Sequence, residues 1–452
     1  MTESFFGGKG LNDSNNQKER MLVIMKRVEI SKVKPDIKCR VQGFVENIRV
    51  KKNIAFIVIK DITGKIQITI YKPDNVELYE KVEALSLQSF ITVEGAVKEN
   101  KHVKLGGMEI IPDTIVIESI AAPLPIDNNS SIDLKLDYRW LDLRADHNQI
   151  IFKVQTCMVH AMREYLTNRN FIEIHTPKII GTASESGSDV FELKYFDTKA
   201  YLAQSPQFYK QMAMASGFEN IFEVGPVFRA EKSYTSKHAT EFTGFDVETT
   251  NIDSFKDIMK LEENLIITML RKIKSKFGDK IYDVFGLEVK IPEKPFPSIK
   301  LADLYCELEN RYGYRVSEDE KGDLTTEAER LSFRFVQEKY NHEFLFITDY
   351  DADNRAFYHM RKDNVPQGYD LIWRGVEITT GAQREHRYDI LKKQAMEKGL
   401  DADVQFYLEF FRYGCPPHGG FGIGIDRITM LLLGLHIKES MFIFRGPNRL
   451  RP

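Results

Sequence analysis

Cysteine is scarce in this chain: four residues in 452, at Cys39, Cys157, Cys306 and Cys415, with no paired spacing. That excludes a disulfide framework and a zinc knuckle and fits a reducing, cytoplasmic setting. Neither sign of charge dominates. Lys+Arg number 63 and Asp+Glu 66, a formal net charge of −3. This balance excludes a uniformly basic nucleic-acid binder, a polybasic tail and an acidic disordered chain. Long apolar runs are missing as well: none approaches the ~20 residues that span a bilayer, so no membrane partner is expected. The polar, Gly/Asn-rich N-terminus is not a secretory signal. None of the ten histidines has His-x-His or His-Glu-x-x-His metal spacing, and no Ser/His/Asp arrangement calls for a protein nucleophile. What remains is ample: 42% hydrophobic residues can build real cores, and the length predicts two or three domains.

The character of the text changes along the chain. Residues 1–20 lack apolar periodicity and read as a flexible leader. Residues 21–120 are β-rich. Phe56-Ile57-Val58-Ile59 runs into a turn at Asp61-Ile62-Thr63-Gly64, and Ile66, Ile68 and Ile70 then alternate with polar residues. Short runs at Ile91 to Val93 and Ile115 to Ile117 complete the pattern of a small barrel or sandwich. Residues 121–137, opening Ala121-Ala122-Pro123-Leu124-Pro125, read as a linker. Residues 138–452 mix helices and strands. Ile151, Val154, Met158, Ala161, Met162 and Tyr165 recur at helical spacing, which predicts an amphipathic helix over about 147–167. Another charged helical stretch is expected over about 316–342.

Two segments carry chemistry. Phe228-Arg229-Ala230-Glu231, a polar loop Lys232 to Lys237, and His238-Ala239-Thr240-Glu241-Phe242-Thr243-Gly244-Phe245-Asp246 predict a hairpin that presents Arg229, Glu231, His238 and Phe242. An Arg can neutralise a phosphate, a carboxylate can accept from an adenine amino group, and an aromatic ring can stack on a base. An exposed charged hairpin is the bland alternative. Further on, Gly419-Gly420-Phe421-Gly422-Ile423-Gly424-Ile425-Asp426-Arg427 is a glycine-rich strand entering an apolar helix, a form that lets backbone approach a nucleotide closely. The dinucleotide fingerprint G-x-G-x-x-G is absent.

In this order the two segments resemble motifs 2 and 3 of class II aminoacyl-tRNA synthetases. Tyr201-Leu202-Ala203-Gln204-Ser205-Pro206-Gln207-Phe208-Tyr209-Lys210-Gln211, Arg139-Trp140-Leu141-Asp142-Leu143-Arg144 and Arg374 to His386 narrow the likeness to aspartyl-tRNA synthetases of the archaeal/eukaryotic type, from about residue 38 onward. The resemblance implies an α+β protein. An N-terminal OB-fold anticodon module precedes a class II catalytic domain whose antiparallel sheet is flanked by helices. It also implies a homodimer joined through motif 1, ending at Phe171-Ile172-Glu173-Ile174-His175-Thr176-Pro177.

The resemblance further implies residue roles. Arg229 contacts the α-phosphate and the amino-acid carboxylate, Glu231 reads adenine, and Phe242 and Arg427 sandwich it. His238 lies near the γ-phosphate, and Lys237, Glu377, Gly424 and Asp426 complete the ATP set. Arg229 and Arg427 are the catalytic pair. Asp370, Glu377 and Thr380 match positions that hold Mg²⁺, a cation that prefers oxygen donors and phosphates. Lys210 and Arg384 clamp the side-chain carboxylate of aspartate, since two buried cations want anionic company. Glu185, Gln207 and Asp246 hold the substrate ammonium, with Thr380 beside them. Arg49, Phe56 and Gln67 face the anticodon of tRNA-Asp. A core position is the alternative for Phe56. The net charge over residues 31–60, eight basic residues against two acids, is +6, so a local basic segment survives the neutral average.

Two departures bear on tRNA selection. The family's Gly-Trp-Val opening reads Gly43-Phe44-Val45, followed by Glu46, and the C-terminal Phe-Pro-Arg-Asp reads Ile443-Phe444-Arg445-Gly446. Charging of tRNA-Asn as well as tRNA-Asp therefore stays open, and an asparaginyl enzyme or a tRNA-independent paralogue are the alternatives.

Overall fold

Val41, Val45, Ala55, Ile57, Ile59, Ile68, Ile91 and Val93 all have no exposed surface, and those sharing a strand lie an even number of residues apart. That period points one face of each strand inward. The computed structural model describes residues 25–182, 190–232, 235 and 237–452; the expected leader and Glu185 lie outside the described residues. The chain divides into two compact units, Met1–Asp127 and Asn128–Pro452.

In the first unit, β1 (Lys38–Lys51), β2 (Ile54–Lys60), β3 (Lys65–Tyr71), β4 (Phe90–Glu99) and β5 (Met108–Ser119) close into a barrel in the order β1-β2-β3-β5-β4. Closure removes the open edges that would otherwise pair with other chains. Only β3 and β5 pair in parallel. The turn joining β2 to β3 is held by Asp61, whose Oδ1 accepts from the backbone of Thr63 (2.7 Å) and Gly64 (3.0 Å). Helix α1 (Val76–Glu83) is capped by Asn75, which accepts from Leu78 N–H at 2.9 Å.

The second unit opens with α2 (Ile132–Asp137), α3 (Arg139–Asp142) and α4 (Asp146–Thr167). Residues 132–137, expected as linker, are thus helical. Ser131 caps α2 by accepting from Leu134 N–H, and Leu136 is buried with Met430, Ile437, Met441 and Phe444. After β6 (Ile172–Glu173) come β7 (Ile179–Ile180), β8 (Glu192–Tyr195) and β9 (Thr198–Leu202), the last three forming a small sheet. Then follow α5 (Gln207–Ala215), β10 (Asn220–Phe228), β11 (Glu241–Thr249), α6 (Phe255–Phe285), β12 (Ser298–Lys300), α7 (Leu301–Tyr312) and α8 (Thr326–Tyr340). The chain continues through β13 (Phe344–Thr348), the short pair β14 (Arg361–Lys362) and β15 (Val365–Pro366), β16 (Gly368–Trp373) and β17 (Val376–Gln383). It finishes with α9 (Tyr388–Glu397), α10 (Gln405–Arg412), β18 (Gly419–Gly424), α11 (Ile425–Leu433) and α12 (Ile437–Ser440).

Eight of these strands form one sheet, ordered β12-β13-β16-β17-β18-β11-β10-β6, antiparallel except at its two outer pairs. The α+β class, OB barrel followed by an antiparallel-rich sheet with helices, is the one the sequence predicts. Along β11 the faces split. Phe245 and Val247 enter the main core with residues of α4, α6 and α11, while Phe242, Gly244, Asp246 and Glu248 turn to the other face. That second face carries the site. Among the described residues no helix is long and apolar enough to cross a membrane.

Candidate active site

One row of strand pairs crosses the second face. Asp370 of β16 faces Thr380 of β17, Thr380 faces Gly422 of β18, and Gly422 faces Asp246 of β11. Over this row opens a cavity of about 300 Å³. It is lined by Gln207, Lys210, Arg229, Glu231, Lys237, His238, Phe242, Asp246, Glu377, Thr380, Arg384, Gly424, Asp426 and Arg427, among others. Asp370 lies beneath it, 3% exposed.

The glycines of β18 serve close packing. A Cβ on Gly420 would stand 2.0 Å from Val247 O, and one on Gly422 3.0 Å from Asp246 Oδ1. Their role is to seat the acids of β11 against β18, beyond the nucleotide approach expected from sequence.

At the floor, four charges meet. Helix α5 presents Gln207, Lys210 and Gln211 on one face, as spacings of three and four residues require. Lys210 Nζ lies 2.9 Å from Asp246 Oδ1 and 3.3 Å from Glu248 Oε2. Arg384 Nε donates to Glu248 Oε1 at 3.0 Å, and its Nη2 to Gly420 O at 3.2 Å. The anionic company expected for the two cations therefore exists in the protein itself, through Asp246 and the buried Glu248. Sequence reasoning missed Glu248, although it stands two residues beyond Asp246 on the same strand face. Burial would raise its carboxyl, yet Arg384 and Lys210 hold its pKa below the usual range.

The groups expected to face a nucleotide sit at the loop between β10 and β11 and at the start of α11. Arg229 stands 3.7 Å from Glu231, with its guanidinium 5.6 Å from the centre of the Phe242 ring. His238 stands 3.9 Å from Glu231, and burial and Arg427 lower its pKa. Arg427 Nη1 donates to Glu377 O at 2.7 Å. Asp426 is a brace: its oxygens accept from Thr243 N–H (2.8 Å) and from Gln155 Nε2 (3.1 Å), tying β11 and α4 to α11.

The acidic group is more crowded than expected. Thr380 Oγ1 lies 2.8 Å from Asp370 Oδ1 and 3.3 Å from Glu377 Oε1. Arg355 grips Asp370 with both guanidinium ends, at 3.0 and 2.5 Å. Burial and the neighbouring Asp370 push the Glu377 carboxyl up to about 7. Glu329 of α8 pairs with Lys237 and accepts Glu377 N–H at 2.5 Å. Nothing in the motifs announces Arg355 or Glu329, because both come from segments outside them. Among the described residues no three His, Cys, Asp or Glu side chains could hold a metal by themselves.

On the barrel, Phe56 is half-exposed on the outer face, while its neighbours Ala55 and Ile57 fill the core. Arg49 faces Phe56 across the strand pair, its guanidinium 4.8 Å from the ring centre. Gln67 Nε2 donates to Glu109 Oε2 and to Thr69 Oγ1, both at 3.1 Å. Glu46 pairs with Lys65 at 2.6 Å.

Comparison with known proteins agrees with this arrangement. Residues 131–444 match the family model of class II tRNA synthetases (D, K and N), and residues 39–118 match the OB-fold nucleic acid binding domain. The aspartate–tRNA(Asp/Asn) ligase of Methanopyrus kandleri is 41% identical over 422 residues, 91% of this chain and 96% of that protein. The aspartate–tRNA(Asp) ligase of Pyrococcus abyssi is 39% identical over 426 residues, 92% of this chain and 96% of that one. Among solved structures, asparaginyl-tRNA synthetase from Pyrococcus horikoshii with asparaginyl-adenylate superposes with a TM-score of 0.87 at 33% identity, covering 94% of this chain and 100% of the other. Aspartyl tRNA synthetase from Entamoeba histolytica gives 0.84 at 30% identity, covering 99% and 98%. With its OB barrel, its antiparallel-rich sheet and its cavity of paired charges, the chain belongs to the class II tRNA synthetases of the D, K and N group.

Proposed function

We propose that this chain is an aspartate–tRNA ligase, and the charge balance of the cavity floor carries that reading. Lys210 and Arg384 against Asp246 and Glu248 leave the floor neutral. Aspartate adds one ammonium and one side-chain carboxylate, which keeps the sum at zero, with its α-carboxylate directed to Arg229. Asparagine adds the ammonium alone and leaves a buried positive charge uncompensated, a costly state in a dry site. The likeness to an asparaginyl enzyme makes asparagine the competing substrate.

The chemistry needs no protein nucleophile. The α-carboxylate of aspartate attacks the α-phosphorus of ATP in line. A carboxyl–phosphate anhydride bond forms, the bond to the β-phosphate breaks, and diphosphate leaves. Arg229 meets the charge that develops on the α-phosphate, and Arg427 and His238 hold the nucleotide and its phosphates. A terminal ribose hydroxyl of tRNA then attacks the aspartyl carbonyl and releases AMP.

The donor set of Asp370, Glu377 and Thr380 fits a hard divalent cation. Three oxygens converge around Thr380, and at the Glu377 carboxyl burial and Asp370 outweigh the pull of Arg427 and Arg355, an imbalance that a divalent cation would offset. Mg²⁺ held there would supply charge neutralisation to the departing diphosphate. Arg229, Glu231 and Phe242 orient the base and phosphates, and Arg355 keeps Asp370 aimed.

The barrel surface of Arg49, Phe56 and Gln67 suits an anticodon loop, a base stacking on Phe56. Tests of tRNA-Asn as a second acceptor centre on Glu46 and Gly446. Further parts of the reading are a homodimer formed through α4 and the edge strand β6, where Ile172 is exposed, and a cytoplasmic location. ATP–pyrophosphate exchange with aspartate and asparagine, followed by charging of tRNA-Asp and tRNA-Asn transcripts, tests the proposal. Activation of asparagine, or none of aspartate, would overturn it.

A further inference from the structure

Under the cavity floor runs a chain of buried polar side chains that starts at Gln207, and its members beyond Gln207 have no part in the catalytic reading. Gln207 Nε2 donates to Gln211 Oε1 at 2.9 Å, and Tyr407 OH donates to the same oxygen at 2.8 Å. Gln211 Nε2 stands 3.0 Å from His418 Nε2, and His418 Nδ1 stands 2.8 Å from Pro416 O. Gln211, Tyr407 and His418 have no exposed surface, and Gln207 has 4%.

Each link sets the polarity of the next. A backbone carbonyl only accepts, so the proton of the imidazole sits on His418 Nδ1. The neutral ring then offers a bare Nε2, which accepts. Gln211 must direct its NH₂ at that nitrogen, and its rigid amide turns Oε1 the other way. Two donors converge on that oxygen, Tyr407 OH and the Gln207 NH₂. The Gln207 amide is thereby oriented nitrogen-inward. Among the described residues no donor reaches Gln207 Oε1, and the residue lines the cavity.

We propose that Pro416 O, His418 and Gln211 form a positioning relay that orients the Gln207 amide so that its carbonyl oxygen, an acceptor, faces the ammonium of the amino-acid substrate. This deepens the proposed function and rests on its reading of the cavity as an amino-acid site. The opposite imidazole tautomer would set a bare Nδ1 against Pro416 O, losing that bond, and would reverse the links from His418 to Gln207, turning the Gln207 NH₂ outward, an orientation suited to a carboxylate. A charged imidazole would keep the Pro416 bond but present an Nε2–H to Gln211, turning both amides over in the same way. Burial pushes the His418 imidazole down to about 4, over the opposing pull of Glu248 and Pro416 O, so the ring stays neutral.

The relay is read directly by ¹⁵N NMR on the full-length chain labelled at histidine, without substrate. The His418 signals are those missing in His418→Gln. At pH 7, Nδ1 is expected as the protonated, pyrrole-type nitrogen and Nε2 as the bare one. An Nε2–H tautomer, or a charged ring, would overturn the relay.

Exchange kinetics supply the functional half. Gln211→Met removes the acceptor for Gln207. It should raise the KM for aspartate about tenfold, with kcat and the KM for ATP within about threefold. His418→Phe should act in the same direction. His418→Gln, which returns an acceptor near the Nε2 position, should rescue it, and an unchanged aspartate KM in Gln211→Met would overturn the proposal. If wild-type protein activated no aspartate at all, the substrate assignment would fall, and that failure is distinct from a wrong tautomer.

Discussion

Lys210 Nζ stands 3.3 Å from Glu248 Oε2, with 1% and 0% of the two side chains exposed. Glu248 also takes Arg384 at 3.0 Å, so one buried acid serves both cations. Such a site depends on its full set of partners, because each charge has left water and none can regain it without opening the fold.

Removing Glu248 is therefore expected to destabilise the protein. Glu248→Gln leaves two buried cations facing Asp246 alone, and breaking buried pairs of this kind costs about 3–5 kcal/mol. Denaturant unfolding at pH 7 measures it. The pH dependence follows from the lowered pKa. Acid protonates the unfolded chain first, near the usual carboxylate value of about 4.3, so the contribution of Glu248 is complete above that pH. It is lost as pH falls through the lower folded value. The wild type should lose stability more steeply than Glu248→Gln below about pH 4. Equal stability at pH 7 would refute the assignment.

Lys210→Leu tests the substrate clamp. Loss of a charge-assisted hydrogen bond to the substrate is worth about 1.5–3 kcal/mol. Aspartate-dependent exchange should fall about 10- to 150-fold in kcat/KM, with the KM for ATP little changed. Aspartate activation at the wild-type rate would show that the clamp lies elsewhere.

Arg355→Lys tests the support of the acidic group. Lysine cannot reproduce the two-pronged grip on Asp370. Outer partners of metal-holding carboxylates typically matter by about 10–100-fold in metal affinity. The Mg²⁺ concentration for half-maximal exchange should rise by about that factor. An unchanged Mg²⁺ titration would remove Arg355 from this role.

Phe56→Ala separates the two units functionally. Base–aromatic stacking is worth about 1–3 kcal/mol, so tRNA affinity should drop about 5- to 150-fold. Exchange without tRNA should stay at the wild-type rate, because Phe56 belongs to neither the barrel core nor the cavity. A large fall in thermal stability instead would return Phe56 to the core reading.

The legible parts of this protein were those written in short-range pattern. Strand alternation around Ile57 and Ile68 announced the barrel, and the spacing from Ile151 to Tyr165 announced α4. The Arg229 and Arg427 segments carry the likeness to class II synthetases because residue type, order and motif context agree. Glu248 was legible in principle, as the next residue on the face of Asp246. His418, Gln211, Arg355 and Glu329 were not, since each works through a partner that local pattern does not reveal.

Local pattern and motif order are thus enough for the fold class, the order of the two units and the residue types of the site. How the charges are shared depends on the packed sheet. The row from Asp370 through Thr380 and Gly422 to Asp246 joins residues up to 176 positions apart, and it exists because strand register aligns them. The pairing of Lys210 and Arg384 with Glu248, and the polarity of the chain from Pro416 to Gln207, follow from the same cause. Burial makes each unpaired charge or misdirected amide costly, and only the packed sheet fixes which groups are near enough to satisfy one another.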